Sequence, residues 1–276
     1  MTKQTVAFLG PLGTYSHLVA RKRFGTKANL MPLLGIMDVC AFVSRTPGAK
    51  GIVPIENSSG GTIHETVDIL LNNCPRIHIA EELSLHVKLA LLGHKTYPIK
   101  RLHSHFVPLE HCAPWIKKNL GRVEKKEESS TAIAAAHVSV DPYAAALAGR
   151  HLAKQFGLDI LEFPVESNTP NITTFVVISH KRTEQPRHDK ITLAIRLPNG
   201  PGSLHSLLGA FEKENVNLSR LVSRPIRGVH KEYAFLLDLD GDIESPTVKR
   251  ALRAARKQST ALRVCGAFPC HTPYRS

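Results

Sequence analysis

Short apolar runs alternate with helical stripes over the first 180 residues. Thr5–Leu9 is a continuous run followed by Gly10, which is typical of a strand buried on both faces. Ile36, Val39, Cys40 and Val43 recur at the spacing of one helix face. Similar runs predict strands at 51–55, 83–91, 158–164 and 175–179, and helices near 63–71, 109–116 and 144–156. This alternation favours an α/β fold with a largely parallel sheet.

A second pattern occupies residues 191–270. A polar stretch at 182–190 precedes it and is predicted to be a linker. Apolar residues then alternate at 191–197, 233–239 and 262–268, with a short strand at 217–223. Helical stripes at 204–211 and 248–255 separate these strands. The predicted order is βαββαβ, a ferredoxin-like unit long enough to be a domain.

The amino-acid composition excludes some classes of function but does not identify one. Lys and Arg number 36 against 23 Asp and Glu, so the net charge is +13. The cations are spread along the chain, and the two loose groups among them, at 117–126 and 249–257, are not interleaved with aromatic residues. We therefore expect solvated faces and no nucleic-acid partner. No apolar run approaches a membrane span or a signal peptide, so we expect a cytoplasmic protein without a membrane partner.

Cysteine and histidine spacing gives little support for metal or disulfides. The five cysteines are an odd number and form no Cys-x-x-Cys, and the 15 histidines include no His-x-x-x-His. We therefore expect no metal site.

Three polar motifs lie next to predicted strands. The first two follow a strand, and the third precedes one. Residues 10–16 read Gly-Pro-Leu-Gly-Thr-Tyr-Ser and lie between a buried strand and a helix, where backbone N–H groups favour an anion. Residues 53–58 read Val-Pro-Ile-Glu-Asn-Ser, and Asn57 and Ser58 would lie at the end of a strand. Residues 167–175 form a polar loop before a strand. Each motif alone is equally consistent with a turn or a helix cap.

Taken together, the motifs resemble the prephenate dehydratase family over about residues 4–269. Ser104-His105, Ser130-Thr131-Ala132 and Phe156-Gly157-Leu158 agree with this resemblance. The C-terminal pattern resembles an ACT regulatory domain, with matches at 217–218, 223–225 and 233–235. The resemblance implies a catalytic domain at 1–181, similar to periplasmic binding proteins with two lobes around the site, and an ACT-like domain at 191–270.

The resemblance also implies an activity and a set of residues. The activity is conversion of prephenate to phenylpyruvate, water and carbon dioxide in phenylalanine biosynthesis, without a cofactor. Thr173 matches the family's proton donor to the leaving hydroxyl. The implied substrate-binding residues are Thr14, Ser16, Asn57, Ser58, His105, Ser130, Thr131 and Thr174. The implied effector-binding residues are Gly202, Ser203, Leu204, Ser223, Arg224 and Pro225, for an amino acid such as phenylalanine between two paired ACT domains.

The residues themselves fit this chemistry. Prephenate carries two carboxylates, and hydroxyl and amide groups beside helix N-termini can bind them. Formation of a benzene ring drives the reaction, so positioning and one proton donor can suffice. Glu56 and His105 are alternative acids, although Glu56 directly follows an apolar run and is interpreted as structural.

Several positions depart from the family pattern. Thr174 occupies the position at which the family has an arginine, which is expected to bind a substrate carboxylate. Phe106 and Val107 occupy the positions at which the family has Pro and Gln. Val222 replaces a glutamate before Ser223, so we expect weak or absent binding of phenylalanine. The alternatives are therefore a prephenate decarboxylase, an arogenate dehydratase, or a ligand-binding regulatory homologue with little turnover. A lone βαββαβ unit exposes edge strands, so a homodimer or homotetramer is expected.

Overall fold

The computed structural model describes residues 3–72, 76–165, 169–182, 188–226, 228–229 and 231–276. They form three sheets with helices packed against them. Residues 183–187, which make up most of the predicted linker, lie outside the described residues. Residues 166–168, at the start of the third polar motif, also lie outside them. Among the described residues, no helix combines the length and apolar character that a membrane crossing requires.

The first sheet, lobe 1, combines the beginning of the chain with later segments. Its strands are β1 (Thr5–Leu9), β2 (Asn29–Leu33), β3 (Lys50–Asn57), β4 (Gly61–Thr62), β5 (His78–His86), β11 (Ile172–Ser179) and β16 (Tyr274–Arg275). Their order is β16-β5-β11-β3-β1-β2, with β4 paired to β3. Helices α1 (Tyr15–Phe24), α2 (Ile36–Arg45) and α3 (His64–Leu71) complete lobe 1. The sheet is mixed, because β11 runs antiparallel to both β3 and β5.

The second sheet, lobe 2, has five strands. They are β6 (Leu89–Gly93), β7 (Arg101–Ser104), β8 (Glu124–Glu127), β9 (Ala144–Gly149) and β10 (Asp159–Val165), in the order β10-β6-β9-β7-β8. Its helices are α4 (Phe106–His111), α5 (Ala113–Asn119), α6 (Thr131–Val138) and α7 (His151–Phe156). The chain passes between the lobes from β5 to β6 and from β10 to β11. Val87 N donates to Asn171 O at 2.8 Å, which holds these two crossings together.

Three predicted elements in this region are wrong. The continuous strand at 83–91 is two strands, β5 and β6, in different sheets. The helix at 109–116 is two short helices, α4 and α5. The alanine-rich helix at 144–156 begins as strand β9, whose six residues are all buried between β6 and β7. Alanine has the highest helix propensity, but propensity is a small effect per residue, and burial in the middle of a sheet overrides it.

The C-terminal domain confirms the predicted βαββαβ order. It consists of β12 (Lys190–Arg196), α8 (Ser203–Glu212), β13 (Leu218–Pro225), β14 (Tyr233–Asp240), α9 (Pro246–Gln258) and β15 (Ala261–Phe268). The antiparallel sheet has the order β13-β14-β12-β15. Helices α8 and α9 pack on one face around Phe211 and Leu237, which are fully buried.

The other face of this domain packs on lobe 1. Ala194, Leu236 and Phe268 belong to the same apolar cluster as Val53 and Leu70 of lobe 1. Lys190 Nζ donates to Glu82 Oε1 at 2.7 Å across the contact. Beyond the predicted limit of the domain at residue 270, β16 returns to lobe 1 and pairs in parallel with β5.

Candidate active site

A cavity of about 820 Å³ lies between the two lobes. Lobe 1 contributes the loop after β1, the ends of β3 and β11, and part of β2. Lobe 2 contributes the N-terminal ends of α4 and α6. The predicted site residues that line it are Thr14, Ser16, Asn57, His105, Ser130, Thr131 and Thr173. These residues are separated by up to about 160 positions in the chain, and the fold brings them to one place.

Three helices with side-chain caps begin at this cavity. The residues that cap them, Thr14, His105 and Ser130, all line it. Thr14 Oγ1 accepts from His17 N at 3.3 Å, and Ser130 Oγ accepts from Ile133 N at 3.2 Å. The remaining N–H groups of each first turn have no acceptor within the helix. They therefore offer donors and the positive end of the helix dipole to an anion in the cavity.

Asn57 and Thr173 are paired across β3 and β11. The amide Nδ2 of Asn57 donates to Thr173 Oγ1 at 2.8 Å and to Asn171 Oδ1 at 2.8 Å. Asn57 Oδ1 accepts from the backbone N–H groups of Ser59 and Gly60, at 2.9 and 2.7 Å. With both ends of its amide engaged, Asn57 has a fixed orientation. Thr173 accepts from it, so the hydroxyl proton of Thr173 is free to be donated to a ligand.

No Lys, Arg, Asp or Glu is among the described residues that line this cavity. His105 is therefore the principal titratable group facing it. Burial lowers the pKa of His105, and the carboxylate of Glu127 opposes this only in part. His105 Nδ1 accepts from Val107 N at 3.4 Å, which leaves the proton of the neutral ring on Nε2. The site is thus a largely neutral cavity rich in hydrogen-bond donors.

Two side-chain contacts join the lobes close in sequence to residues that line the cavity. His151 Nε2 of lobe 2 lies 2.9 Å from Gly13 O, which directly precedes Thr14. Ser59 Oγ lies 2.8 Å from His111 Nδ1 of lobe 2, and Ser59 follows Asn57 by two residues.

Comparison with known proteins agrees with this geometry. The family model for prephenate dehydratase matches residues 6–183, well over half of the chain, and the ACT domain model matches residues 191–257. The chain belongs to the prephenate dehydratase family. Its C-terminal domain is an ACT domain, as predicted, and its two-lobed catalytic domain has the expected periplasmic-binding-protein-like architecture.

Individual relatives cover nearly the whole chain. A bifunctional chorismate mutase/prephenate dehydratase from Stutzerimonas stutzeri is 34% identical over 96% of this chain and 73% of the relative. The structure of an Arthrobacter aurescens prephenate dehydratase in complex with L-Phe has a TM-score of 0.87 at 28% identity, covering 96% of this chain and 90% of that one. A protein described as a novel type of quorum quenching acylase has a TM-score of 0.84 at 27% identity, covering 97% and 98%.

Two residues predicted to bind substrate are not among the described lining of the cavity, namely Ser58 and Thr174. Ser58 Oγ donates to Pro170 O at 2.8 Å and accepts from Ile172 N at 2.9 Å, so it ties the end of β3 to β11. Thr174 lies between Thr173 and Phe175, which both line the cavity. Because side chains alternate along a strand, Thr174 is on the opposite face, paired in register with Glu56.

Glu56 itself faces the ACT domain. Arg220 Nε donates to Glu56 Oε2 at 2.8 Å. This agrees with the structural interpretation of Glu56 and removes it as the alternative acid in the cavity. Sequence reasoning did not find Arg220, because its significance depends on the packing of two domains.

The residues predicted to bind an effector lie in two places. Gly202, Ser203 and Leu204 form the start of α8, where Gly202 adopts a φ of +79°. Ser223 and Pro225 are exposed on β13. Arg224 instead forms a paired contact with Asp68 of α3, at 2.6 and 2.9 Å. Val222 packs against the apolar cluster shared with lobe 1.

A cluster of metal-ligand residue types lies beside the site and was missed in the sequence. His103, Glu128 and His137 come from β7, the loop after β8, and α6. Both Nδ1 atoms lie 2.8 Å from Glu128 Oε1. These are hydrogen-bond separations, so the cluster holds the loop leading to Ser130 in place without requiring an ion.

Proposed function

We propose that the protein is a prephenate dehydratase, which converts prephenate to phenylpyruvate with loss of carbon dioxide and water. The observation that carries this proposal is the pairing of Asn57 with Thr173 inside a cavity bordered by three helix N-termini. A dianion needs donors, and the cavity offers hydroxyl and backbone N–H groups in place of cations. The lining of the cavity is mainly apolar, and a low local dielectric constant strengthens each electrostatic contact.

The proposed mechanism assigns one proton transfer to Thr173. As the ring carboxylate leaves as carbon dioxide, the electrons of its C–C bond enter the ring and the C–O bond to the ring hydroxyl breaks. Thr173 donates its proton to that oxygen, which leaves as water, and Asn57 Nδ2 stabilises the negative charge on Thr173 Oγ1 until a proton from solvent restores the hydroxyl. His105 presents its neutral Nε2–H to a substrate carboxylate. Aromatisation supplies the driving force, so a weakly acidic hydroxyl is sufficient when it is well positioned.

The proposal includes regulation, assembly and location. We expect a cytoplasmic homodimer or homotetramer in which ACT domains pair, with phenylalanine as a weak effector near 202–204 and 223–225. The L-Phe complex of the Arthrobacter aurescens relative supports an amino-acid effector. The position of Val222 in an apolar cluster supports weak affinity, because no carboxylate is available at this position for the effector's amino group.

An acylase activity is the alternative suggested by one structural relative. Amide hydrolysis needs a nucleophile activated by a base. The Ser59–His111 pair has suitable atoms 2.8 Å apart, but neither residue is among the described lining of the cavity. The dehydratase proposal uses groups that face the cavity directly, and we therefore favour it.

Product identification separates these possibilities. Purified protein is incubated in parallel with prephenate and with arogenate, and the products are identified by mass and by ultraviolet absorbance. Phenylpyruvate from prephenate supports the proposal. Phenylalanine formed faster from arogenate would indicate an arogenate dehydratase, and a non-aromatic keto acid would indicate a decarboxylase. Unchanged substrates would favour the ligand-binding alternative.

A further inference from the structure

Arg220 of the ACT domain connects two carboxylates that belong to different domains. Its Nη1 donates to Asp238 Oδ2 at 2.6 Å within the ACT sheet, and its Nε donates to Glu56 Oε2 at 2.8 Å in lobe 1. The side chain of Arg220 is 10% exposed and that of Asp238 is 0% exposed. A buried carboxylate strongly requires its cation, so Asp238 holds the guanidinium in one place. Thr192 Oγ1 also donates to Asp238, at 2.6 Å, which ties the group to β12.

The other end of this connection is next to the active site. Glu56 directly precedes Asn57, whose amide orients the Thr173 hydroxyl. Just before Glu56, the pairing of β3 with β11 shifts by one residue, because Thr174 pairs with Glu56 while Phe175 pairs with Pro54. A bulge of this kind loosens the ladder locally and re-aims the residues that follow it. The Glu56 carboxylate is therefore an external anchor for the segment that carries Asn57.

A second arginine on the same strand provides a natural comparison. Arg224 lies four residues after Arg220 on β13 and forms a paired contact with Asp68 at 2.6 and 2.9 Å. Both contacts cross the same domain boundary. Asp68 lies on α3 and is not among the described lining of the cavity, whereas Glu56 is bonded in sequence to a residue that lines it. Both ion pairs therefore join the ACT domain to lobe 1, and the Glu56 pair is the one next in sequence to Asn57.

We propose that Arg220 is a positioning residue that couples the ACT domain to the catalytic hydroxyl through Glu56 and Asn57. Any shift of β13 relative to lobe 1 moves the guanidinium, and the guanidinium moves the end of β3. The Asn57–Thr173 contact then lengthens or turns. This inference depends on the proposed function only in the experiment that measures turnover of prephenate.

The test uses Glu56→Gln with Asp68→Asn as the matched control. Removing Arg220 itself would leave Asp238 buried without a partner and could unfold the domain. Glu56→Gln weakens only the lobe 1 end of the connection, at a side chain that is 43% exposed. We expect kcat for prephenate to fall about 10-fold because the catalytic groups are misplaced, with KM changed less than about twofold. Asp68→Asn should leave kcat within about twofold of the wild-type value. It should lower the melting temperature by about as much as Glu56→Gln does.

Two further readouts separate coupling from other roles. The pH profile of kcat should keep its shape in Glu56→Gln, since loss of a general acid would remove one limb. Amide hydrogen exchange at Ser59 and Gly60, whose N–H groups donate to Asn57 Oδ1, should accelerate in Glu56→Gln and not in Asp68→Asn. Equal kcat and exchange in the two variants would overturn the proposal. If the wild type does not convert prephenate, the proposed function fails, and the exchange comparison still decides the coupling.

Discussion

Asn57 Nδ2 lies 2.8 Å from Thr173 Oγ1, so the amide fixes the hydroxyl as an acceptor on one side and frees its proton on the other. This contact joins two motifs that are 116 residues apart in the chain. In the proposed function, this contact directs the hydroxyl proton of Thr173 toward the substrate.

Thr173→Ala should lower kcat by at least about 100-fold while the protein stays folded, because the proton donor is lost. Steady-state kinetics with prephenate measure this, and circular dichroism checks the fold. Thr173→Ser is the matched control, since it keeps the hydroxyl within reach of Asn57, and it should retain most of the activity. A loss below threefold in Thr173→Ala would place the acid elsewhere, with His105 the first residue to examine.

Thr174→Arg should not improve binding of prephenate. The position is on the face of β11 opposite Thr173, in register with Glu56, whose partner Arg220 already occupies that side. A second guanidinium there would compete with Arg220, so the melting temperature should fall. Thr174→Gln controls for side-chain length without charge. A KM reduced about tenfold in Thr174→Arg would show instead that an arginine at 174 reaches the substrate, as the family pattern implies.

The stability of the protein should fall as the pH drops below about 6.5, the ordinary pKa of histidine. Burial is the main cause that lowers the pKa of His17, His105, His111 and His151 in the folded protein. The unfolded chain therefore binds protons at a higher pH than the folded chain does, and stability increases with pH across that window. Melting temperatures at pH 7.5, 6.5 and 5.5 measure the effect.

A matched variant assigns this pH dependence to the imidazoles. His111→Gln keeps a polar group near Ser59 and removes one titrating ring, so its loss of stability between pH 7.5 and 5.5 should be smaller than that of the wild type. An unchanged melting temperature over this range in the wild type would contradict the assignment.

Phenylalanine should bind weakly and inhibit little. Loss of a charge-assisted bond to the amino group weakens binding by about 10- to 100-fold. Calorimetric titration of the wild type measures this, and micromolar binding that inhibits turnover would contradict it. Val222→Glu would restore the glutamate of the family pattern, but Val222 packs in the apolar cluster at the domain contact. We therefore expect this variant to lower the melting temperature, since it buries a carboxylate.

The sequence predicted the parts of the fold that local patterns determine. The βαββαβ order of the C-terminal domain followed from alternation and helical stripes, whereas its ACT assignment followed from the family resemblance. Strand β1 was predicted at its observed bounds. Strand β9 could not be predicted this way, because six alanine-rich residues favour a helix until the neighbouring strands bury them. The break between β5 and β6 was hidden because both strands are buried and their apolar alternation continues across the lobe crossing.

The motifs of the candidate site could be predicted from the sequence, but the contacts between their side chains could not. Thr14 and Asn57 were identified from polar loops that follow predicted strands, and Ser130 and Thr173 were identified from the family resemblance. The face of β11 on which Thr174 lies depends on a bulge in the pairing with β3. The contacts of Arg220 with two domains depend on domain packing. No local sequence pattern encodes either feature. The histidine cluster around Glu128 was missed because its members are far apart in sequence.

The most direct test of the account follows prephenate, phenylpyruvate and carbon dioxide together in one reaction with the wild type and with Thr173→Ala. The account predicts that the wild type forms one phenylpyruvate and one carbon dioxide for each prephenate consumed, and that Thr173→Ala does so at least about 100-fold more slowly. Carbon dioxide released without an aromatic product, or equal rates in the two proteins, would contradict it.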